Sequence, residues 1–117
     1  MFECYDRKLL ALAGEVALNA AIPMVKGVYV AVPGPNLETA AEYRYLRIIG
    51  ADAVGMSTVP EVLVARHSGM RVLGFSLITD MGLPDALKPT KIEEVLAIAE
   101  QAEPRLRKLI TRVVEKL

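Results

Sequence analysis

Residues 50–62 have the sequence GADAVGMSTVPEV, in which a short apolar run passes directly into the start of a helix. Ala53 to Met56 predicts a buried strand, because these residues are mainly apolar and Gly50 ends the element before them. Thr58 to Glu61 fits a capping box with proline in the first turn, and Gly69 ends the helix. A strand followed at once by a helix is typical of α/β proteins, so this stretch indicates that class.

Predicted helices and strands also alternate on both sides of residues 50–62. Apolar spacing predicts a helix from Tyr5 to Ala21, and a β-branched run predicts a strand from Val28 to Val32. A second helix is predicted from a cap at Asn36 to about Ile49. A third strand is predicted from Val72 to Thr79. The apolar stripe of the second helix consists of Ala41, Tyr45, Ile48 and Ile49.

The last part of the chain is predicted to be a loop followed by a long helix. The loop covers residues 80–89, and a second capping box at residues 90–93 opens the helix, which Pro104 should kink or break. The alternating order predicts one α/β domain over residues 1–117, with a small, mainly parallel sheet and flanking helices. Three strands make a small sheet, so we expect it to be part of a larger one or to need neighbours.

The composition narrows the classes of function. Of the 117 residues, 53% are hydrophobic, 24% are charged and 5% are aromatic, and the formal net charge is zero. Because no basic tract occurs, nucleic acid is not an expected partner, and no run is long and apolar enough to span a membrane. Cys4 is the one cysteine, and with one histidine it gives no metal-ligand set. We therefore expect a reducing cytoplasm and no metal.

Polar side chains follow each predicted strand, where ligands of open α/β sheets bind. Ser57 precedes a helix N-terminus, whose free N–H groups favour an anion such as phosphate. Glu38 and Asp80 follow the first and third strands and can bind ligand donors or act as general acid or base. On spacing alone, a helix cap at Ser57 and ordinary surface roles for both carboxylates are the commoner outcome.

Two segments carry a resemblance to a known family. Residues 27–39 (GVYVAVPGPNLET) and 50–62 resemble distinctive stretches of trimeric purine nucleoside phosphorylases, and residues 65–67 and 74–79 continue the match in register. The resemblance covers almost the whole chain. It implies the C-terminal portion of a three-layer phosphorylase/hydrolase-like fold. It also implies that a purine nucleoside and inorganic phosphate give a purine base and ribose 1-phosphate, without a cofactor, in a homo-oligomer such as a trimer or a multiple of it.

The resemblance gives roles to the matching positions. Ser57 would contact phosphate, and Met56 would pack under the ribose. Glu38 would hydrogen-bond the purine edge and Asp80 would face purine N7, so these two are the expected catalytic residues. The other expected contacts are Leu37 and Val54 along the base pocket, Tyr29 on the sugar side and Ile92 near the 5′-hydroxyl.

Three positions depart from the family pattern. Asp80 stands where members that favour guanosine and inosine have asparagine. A protonated aspartate can donate to N7 and an ionised one can accept from a 6-amino group, so we predict a preference for adenosine-type nucleosides. Ile92 replaces a histidine that contacts the 5′-hydroxyl, which would suit an apolar substituent such as methylthio. Leu37 replaces a phenylalanine and makes the pocket less aromatic.

Length is a further departure, because members of this family are roughly twice as long as this chain. Their N-terminal half carries another phosphate-binding loop, so Ser57 is expected to form one wall of a phosphate site whose other walls lie elsewhere. We expect the isolated 117 residues to be weakly active or inactive, and to form oligomers that cover strand edges. Two alternatives stay open: a truncated, non-catalytic oligomerising domain, and a nucleoside hydrolase-like member that uses water.

Overall fold

The computed structural model describes residues 2–117, in which helices alternate with short strands. This alternation and the parallel pairing of the strands confirm the predicted α/β class. In chain order the elements are α1 (Arg7–Asn19), β1 (Tyr29–Ala31), α2 (Ala40–Ile48), β2 (Ala53–Gly55), α3 (Val59–His67) and α4 (Ile92–Val114).

Strands β1 and β2 form a parallel pair joined by the crossover through α2. Tyr29 lies opposite Ala53 and Ala31 lies opposite Gly55. The pairing extends beyond both strands. The Val32 N–H donates to the Gly55 carbonyl at 2.9 Å, and the Val28 N–H donates to the Asp52 carboxylate at 2.8 Å. Parallel pairing brings the carboxyl ends of both strands to the same edge of the sheet, where the segments 32–39 and 56–58 begin.

The predicted third strand at residues 72–79 is wrong for the described residues, where the sheet has two strands. Exposure nevertheless alternates along the segment: Leu73 and Phe75 pack against the core, while Gly74 and Ser76 are exposed. A strand needs a neighbour for its ladder of hydrogen bonds. Leu73 and Phe75 are instead covered by packing against the core residues of α1 and α4, whereas Ile78 is 55% exposed.

The helix starts differ from those predicted. Helix α2 is capped by Thr39 rather than Asn36: the Thr39 hydroxyl accepts from the Glu42 N–H at 3.3 Å, and the Glu42 carboxylate accepts from the Thr39 N–H at 2.7 Å. The capping boxes predicted at Thr58 and Thr90 are wrong, because neither α3 nor α4 has a side-chain cap. The Thr90 hydroxyl donates to Asp80 instead.

The core lies between the first and last helices. Its buried residues are small or branched, so α1 and α4 approach closely, and the Lys116 ammonium donates to the Glu15 carboxylate at 2.9 Å across the same contact. Helix α4 runs through Pro104 for 23 residues, so the predicted break there is wrong. The core cluster consists of Ala13, Val16, Ala17, Leu109 and Val113.

The predicted apolar stripe of α2 is wrong as a core-facing stripe. Leu46 is the residue of α2 that is buried, whereas Tyr45 is 61% exposed and Ile48 is 82% exposed. The stripe is therefore an apolar surface on this chain. Across the described residues, no helix combines the length and apolarity needed to cross a bilayer.

Candidate functional site

Side chains at the ends of β1 and β2 lie across glycines of the neighbouring segment. A Cβ atom at Gly55 would collide with the Tyr29 hydroxyl, and one at Gly34 would collide with the Met56 thioether. The absence of a Cβ atom at Gly55 therefore leaves space for the Tyr29 ring, and its absence at Gly34 leaves space for the flexible Met56 thioether. Val54 lies half-buried in β2, next to Gly55. The Tyr29 ring thus reaches β2, and the Met56 thioether reaches the turn that follows β1. The contacts of these residues with a sugar or a base stay predictions.

Ser57 stands at a tight turn that leads into α3. The Val59 N–H donates to the Ser57 carbonyl at 2.8 Å, and Thr58 between them has φ 74° and ψ −53°, which is the geometry of a γ-turn. Such a conformation in a β-branched residue stores about 1–3 kcal/mol of strain. The turn leaves the Ser57 side chain exposed, with its hydroxyl 3.3 Å from that of Thr58.

The start of α3 has few free N–H groups. Thr58 precedes the helix without a side-chain cap, the Val59 N–H is used in the turn, and Pro60 has no N–H. The positive end of the helix dipole and the Ser57 hydroxyl favour an anion here, whereas the Glu61 carboxylate in the first turn opposes one. Phosphate binding at Ser57 stays a prediction.

Tyr43 of α2 lies within electrostatic reach of both predicted carboxylates. Burial raises the pKa of Tyr43 to about 12, and the neighbouring carboxylates of Glu38 and, more weakly, Asp80 act in the same direction. The Tyr43 ring packs on the 80–89 loop, since a Cβ atom at Gly82 would lie 2.6 Å from ring carbon Cδ1. The phenol is therefore protonated near neutral pH.

Asp80 is fixed by contacts at both of its carboxylate oxygens. Oδ1 accepts from the Met81 N–H at 2.8 Å, and Oδ2 accepts from the Thr90 hydroxyl at 2.9 Å. Arg44 forms an ion pair with Asp85 in the middle of the same loop. Ile92, the first residue of α4, follows two residues after Thr90 and is 73% exposed. The loop therefore carries Asp80 and leads to the predicted 5′-hydroxyl position.

Residues of the predicted site line two separate cavities. One of about 270 Å³ has Glu38 and Glu42 in its wall together with the turn at Gly34. The other, of about 400 Å³, lies along α3 and has Ser57 and Thr58 in its wall. Leu37, next to Glu38 in the chain, is 55% exposed. Glu38 and Ser57 therefore line different cavities in residues 2–117, and their union in one site with a bound nucleoside stays a prediction.

Tyr43 and Thr90 are the two site residues that the sequence did not predict. Helical spacing offers a signal for Tyr43, because it lies three residues before the buried Leu46 and so shares its face. Thr90 was predicted as a helix cap. Nothing in the local sequence indicated that its hydroxyl would donate to Asp80, ten residues earlier. Among the described residues, no three His, Cys, Asp or Glu side chains gather in a metal-binding group.

The fold is that of a known class: the chain belongs to the phosphorylase superfamily, whose family model matches residues 1–115. Within that class it is similar to purine nucleoside phosphorylases, as the sequence resemblance predicted. Purine nucleoside phosphorylase 1 of Bacillus subtilis is 47% identical over 114 residues, which are 97% of this chain and 42% of the relative. The bovine purine nucleoside phosphorylase is 44% identical and is matched over 42% of its length.

Solved structures of purine nucleoside phosphorylases are also similar to this chain. Schistosoma mansoni purine nucleoside phosphorylase in complex with inosine superposes with a TM-score of 0.93 at 42% identity, covering 98% of this chain and 42% of that one. The complex with adenosine gives a TM-score of 0.92 at 39% identity, covering 98% and 43%. The chain thus spans less than half the length of the relatives that it matches.

Proposed function

We propose that the protein containing this chain catalyses phosphorolysis of purine nucleosides to a purine base and ribose 1-phosphate. The observation that carries this proposal is the 47% identity with a purine nucleoside phosphorylase over 97% of the chain. The strained, uncapped turn at Ser57 and Thr58 supports it, since it offers an anion site at a strand end. Inorganic phosphate is the co-substrate, and the reaction needs no cofactor.

The proposed mechanism relies on electrostatic complementarity. Cleavage of the glycosidic bond develops positive charge on the ribose and negative charge on the leaving purine. A phosphate held at Ser57 stabilises the first charge, and Met56 and Tyr29 position the sugar. Glu38 and Asp80 hold the purine edge by accepting hydrogen bonds from its donors, and a hydrogen-bond donor at N7 stabilises the second charge. The phosphate and the N7 donor act where charge changes during the reaction, which is where preorganised dipoles lower a barrier most.

We propose adenosine-type nucleosides as the preferred substrates. Asp80 presents a carboxylate that already accepts two hydrogen bonds from the protein, so its remaining lone pairs suit a donor such as a 6-amino group. A 6-oxo group would place an acceptor against an acceptor. We propose that Leu37, Val54 and Ile92 make the surroundings of the nucleoside apolar. Such surroundings suit a purine base and a 5′ substituent of the sugar such as methylthio.

The assembly and the location of the protein are further proposals. A homo-oligomer is supported by the apolar side chains that α2 leaves exposed, of which Ile48 is 82% exposed. A cytoplasmic location rests on the single cysteine, Cys4. Because Ser57 and Glu38 line separate cavities, we expect the isolated 117 residues to be weak or inactive in phosphorolysis.

The test is release of free base by the protein at its native length, with and without inorganic phosphate. We expect adenine and ribose 1-phosphate from adenosine only when phosphate is present. The variant Ser57→Ala should raise the KM for phosphate, while Ser68→Ala, at the C-terminal end of α3, should not. Base release that does not depend on phosphate would assign the protein to the hydrolases instead. No release under either condition would favour a non-catalytic role.

A further inference from the structure

The loop of residues 80–89, which carries Asp80, is held by contacts at its start, middle and end. Thr90 at its end donates a hydrogen bond to Asp80 at its start, with 2.9 Å between the two oxygens. Arg44 of α2 pairs with Asp85 in its middle. The Tyr43 ring, one residue away on the same helix, packs against Gly82. The loop is therefore closed on itself by one hydrogen bond and held to α2 by two contacts.

The hydrogen-bond donors around Asp80 decide what its carboxylate can offer a ligand. The Met81 N–H donates to Oδ1 at 2.8 Å, and the Thr90 hydroxyl donates its one proton to Oδ2. An ionised carboxylate accepts only, and each oxygen has two acceptor sites. One site on each oxygen remains, so a ligand atom that meets Asp80 has to be a donor.

Thr90 stands two residues before α4 and is exposed. The buried residues of α4, Leu109 and Val113, lie at its far end, where α4 packs on α1. The Thr90 hydroxyl is therefore placed by its hydrogen bond to Asp80 rather than by the core.

We infer that Thr90 is a positioning residue which fixes Asp80 as a hydrogen-bond acceptor and so makes the site select a purine that carries a 6-amino donor over one that carries a 6-oxo group. The inference rests on the proposed function, because that function brings a purine to Asp80. Thr90 acts through Asp80 and does not need to touch the base. Its loss therefore changes the choice of base rather than the binding of bases in general.

The test measures binding of free adenine and free hypoxanthine by calorimetry, using the protein at its native length. Thr90→Val keeps the shape of the side chain and removes the hydroxyl, whereas Thr90→Ser keeps the hydroxyl. Thr111→Val makes the same change on an exposed turn of α4, far from the loop. We expect Thr90→Val to weaken adenine binding about tenfold, the effect of losing a hydrogen bond to a charged group, and to leave hypoxanthine binding unchanged.

The outcomes separate this inference from the proposed function. Selective loss of adenine binding in Thr90→Val, with recovery in Thr90→Ser and no change in Thr111→Val, supports the positioning role whether or not phosphorolysis is observed. Equal weakening of both bases would show a structural role and overturn the inference, even if phosphate-dependent base release is intact. Unchanged adenine binding in Thr90→Val, or wild-type protein that binds hypoxanthine more tightly than adenine, would overturn it as well.

Discussion

Thr58 adopts a backbone conformation that glycine tolerates far better than a β-branched residue. Its φ of 74° and the short bond from the Val59 N–H to the Ser57 carbonyl define the turn that exposes Ser57. The sequence predicted an ordinary capping box here, because Thr-Val-Pro-Glu has the right residues at the right spacing. Spacing cannot reveal strain, which arises when the surrounding structure forces one residue into a sparsely populated region.

Replacing Thr58 with glycine should stabilise the protein. Relief of strain gains about 1–3 kcal/mol and the extra flexibility of the unfolded chain costs about 0.5–1, so we expect a net gain of about 1 kcal/mol. The free energy of unfolding in urea measures this. Thr39→Gly is the matched control, because Thr39 has a negative φ and a complete capping box, and it should lower stability. Destabilisation by both changes would contradict a strained Thr58.

Tyr43 should make stability fall at high pH. Its pKa is raised from 10.0 to about 12, so the unfolded chain loses this proton first. The stabilisation is complete below pH 10 and is lost as the pH rises through 12. Tyr43→Phe should therefore make the fall in unfolding free energy between these pH values shallower, as followed by urea unfolding. Tyr45→Phe, at an exposed tyrosine of the same helix, is the matched control variant. Equal slopes for Tyr43→Phe and wild type would contradict the account.

At the scale of elements, helices were predicted better than strands. The four helices lie close to their predicted ranges and differ from them mainly at their ends, where Thr39 rather than Asn36 caps α2. Residues 72–79 have the composition of a strand but lack a partner in the described chain. Helical hydrogen bonds are local, whereas a strand depends on a neighbour that apolar composition cannot specify. The α2 stripe was wrong for a related reason, since apolar residues also occupy surfaces.

Contact between α2 and the 80–89 loop can be tested with glycine substitutions. Gly82→Ala would drive a methyl group into the Tyr43 ring, so we expect a loss of about 1–3 kcal/mol in stability, as for overpacking. Gly14→Ala is the contrast, because a Cβ atom there meets nothing within 4 Å inside α1, and it should gain about 0.5–1 kcal/mol. Thermal unfolding of both variants measures whether each substitution raises or lowers the stability of the protein. A neutral Gly82→Ala would show that the ring does not pack there.

The whole molecule is extended for its length. Its radius of gyration is 15.5 Å, whereas about 13 Å is typical of a compact domain of this size. The buried hydrophobic residues lie mostly between α1 and α4, and large apolar side chains such as Val25 at 92% and Ile48 at 82% are exposed. A surface of this kind normally faces protein.

We therefore expect the isolated chain to associate in solution. Burial of the exposed α2 stripe is the driving force, so Ile48→Lys should weaken association by placing a charge in the contact. Light scattering as a function of concentration measures the molar mass of both proteins. Lys8→Glu, on the exposed side of α1, is a control that should not change the mass. A stable monomer at all concentrations would contradict this expectation.

The roles of the candidate site residues stay predictions, and their arrangement depends on packing. Motif matches gave Ser57, Glu38 and Asp80; Ser57 and Glu38 follow β2 and β1, whereas the segment before Asp80 forms no strand in the described residues. The neighbours of the two carboxylates, Tyr43 and Thr90, depend on contacts between distant segments that no local pattern contains. The separation of Glu38 and Ser57 into two cavities likewise depends on packing around the sheet.

The measurement that bears most directly on the central claim is the phosphate dependence of base release from adenosine by the protein at its native length. The account predicts that adenine and ribose 1-phosphate appear in equal amounts, only when phosphate is added, and faster than hypoxanthine appears from inosine. Release of adenine with free ribose in the absence of phosphate would contradict it.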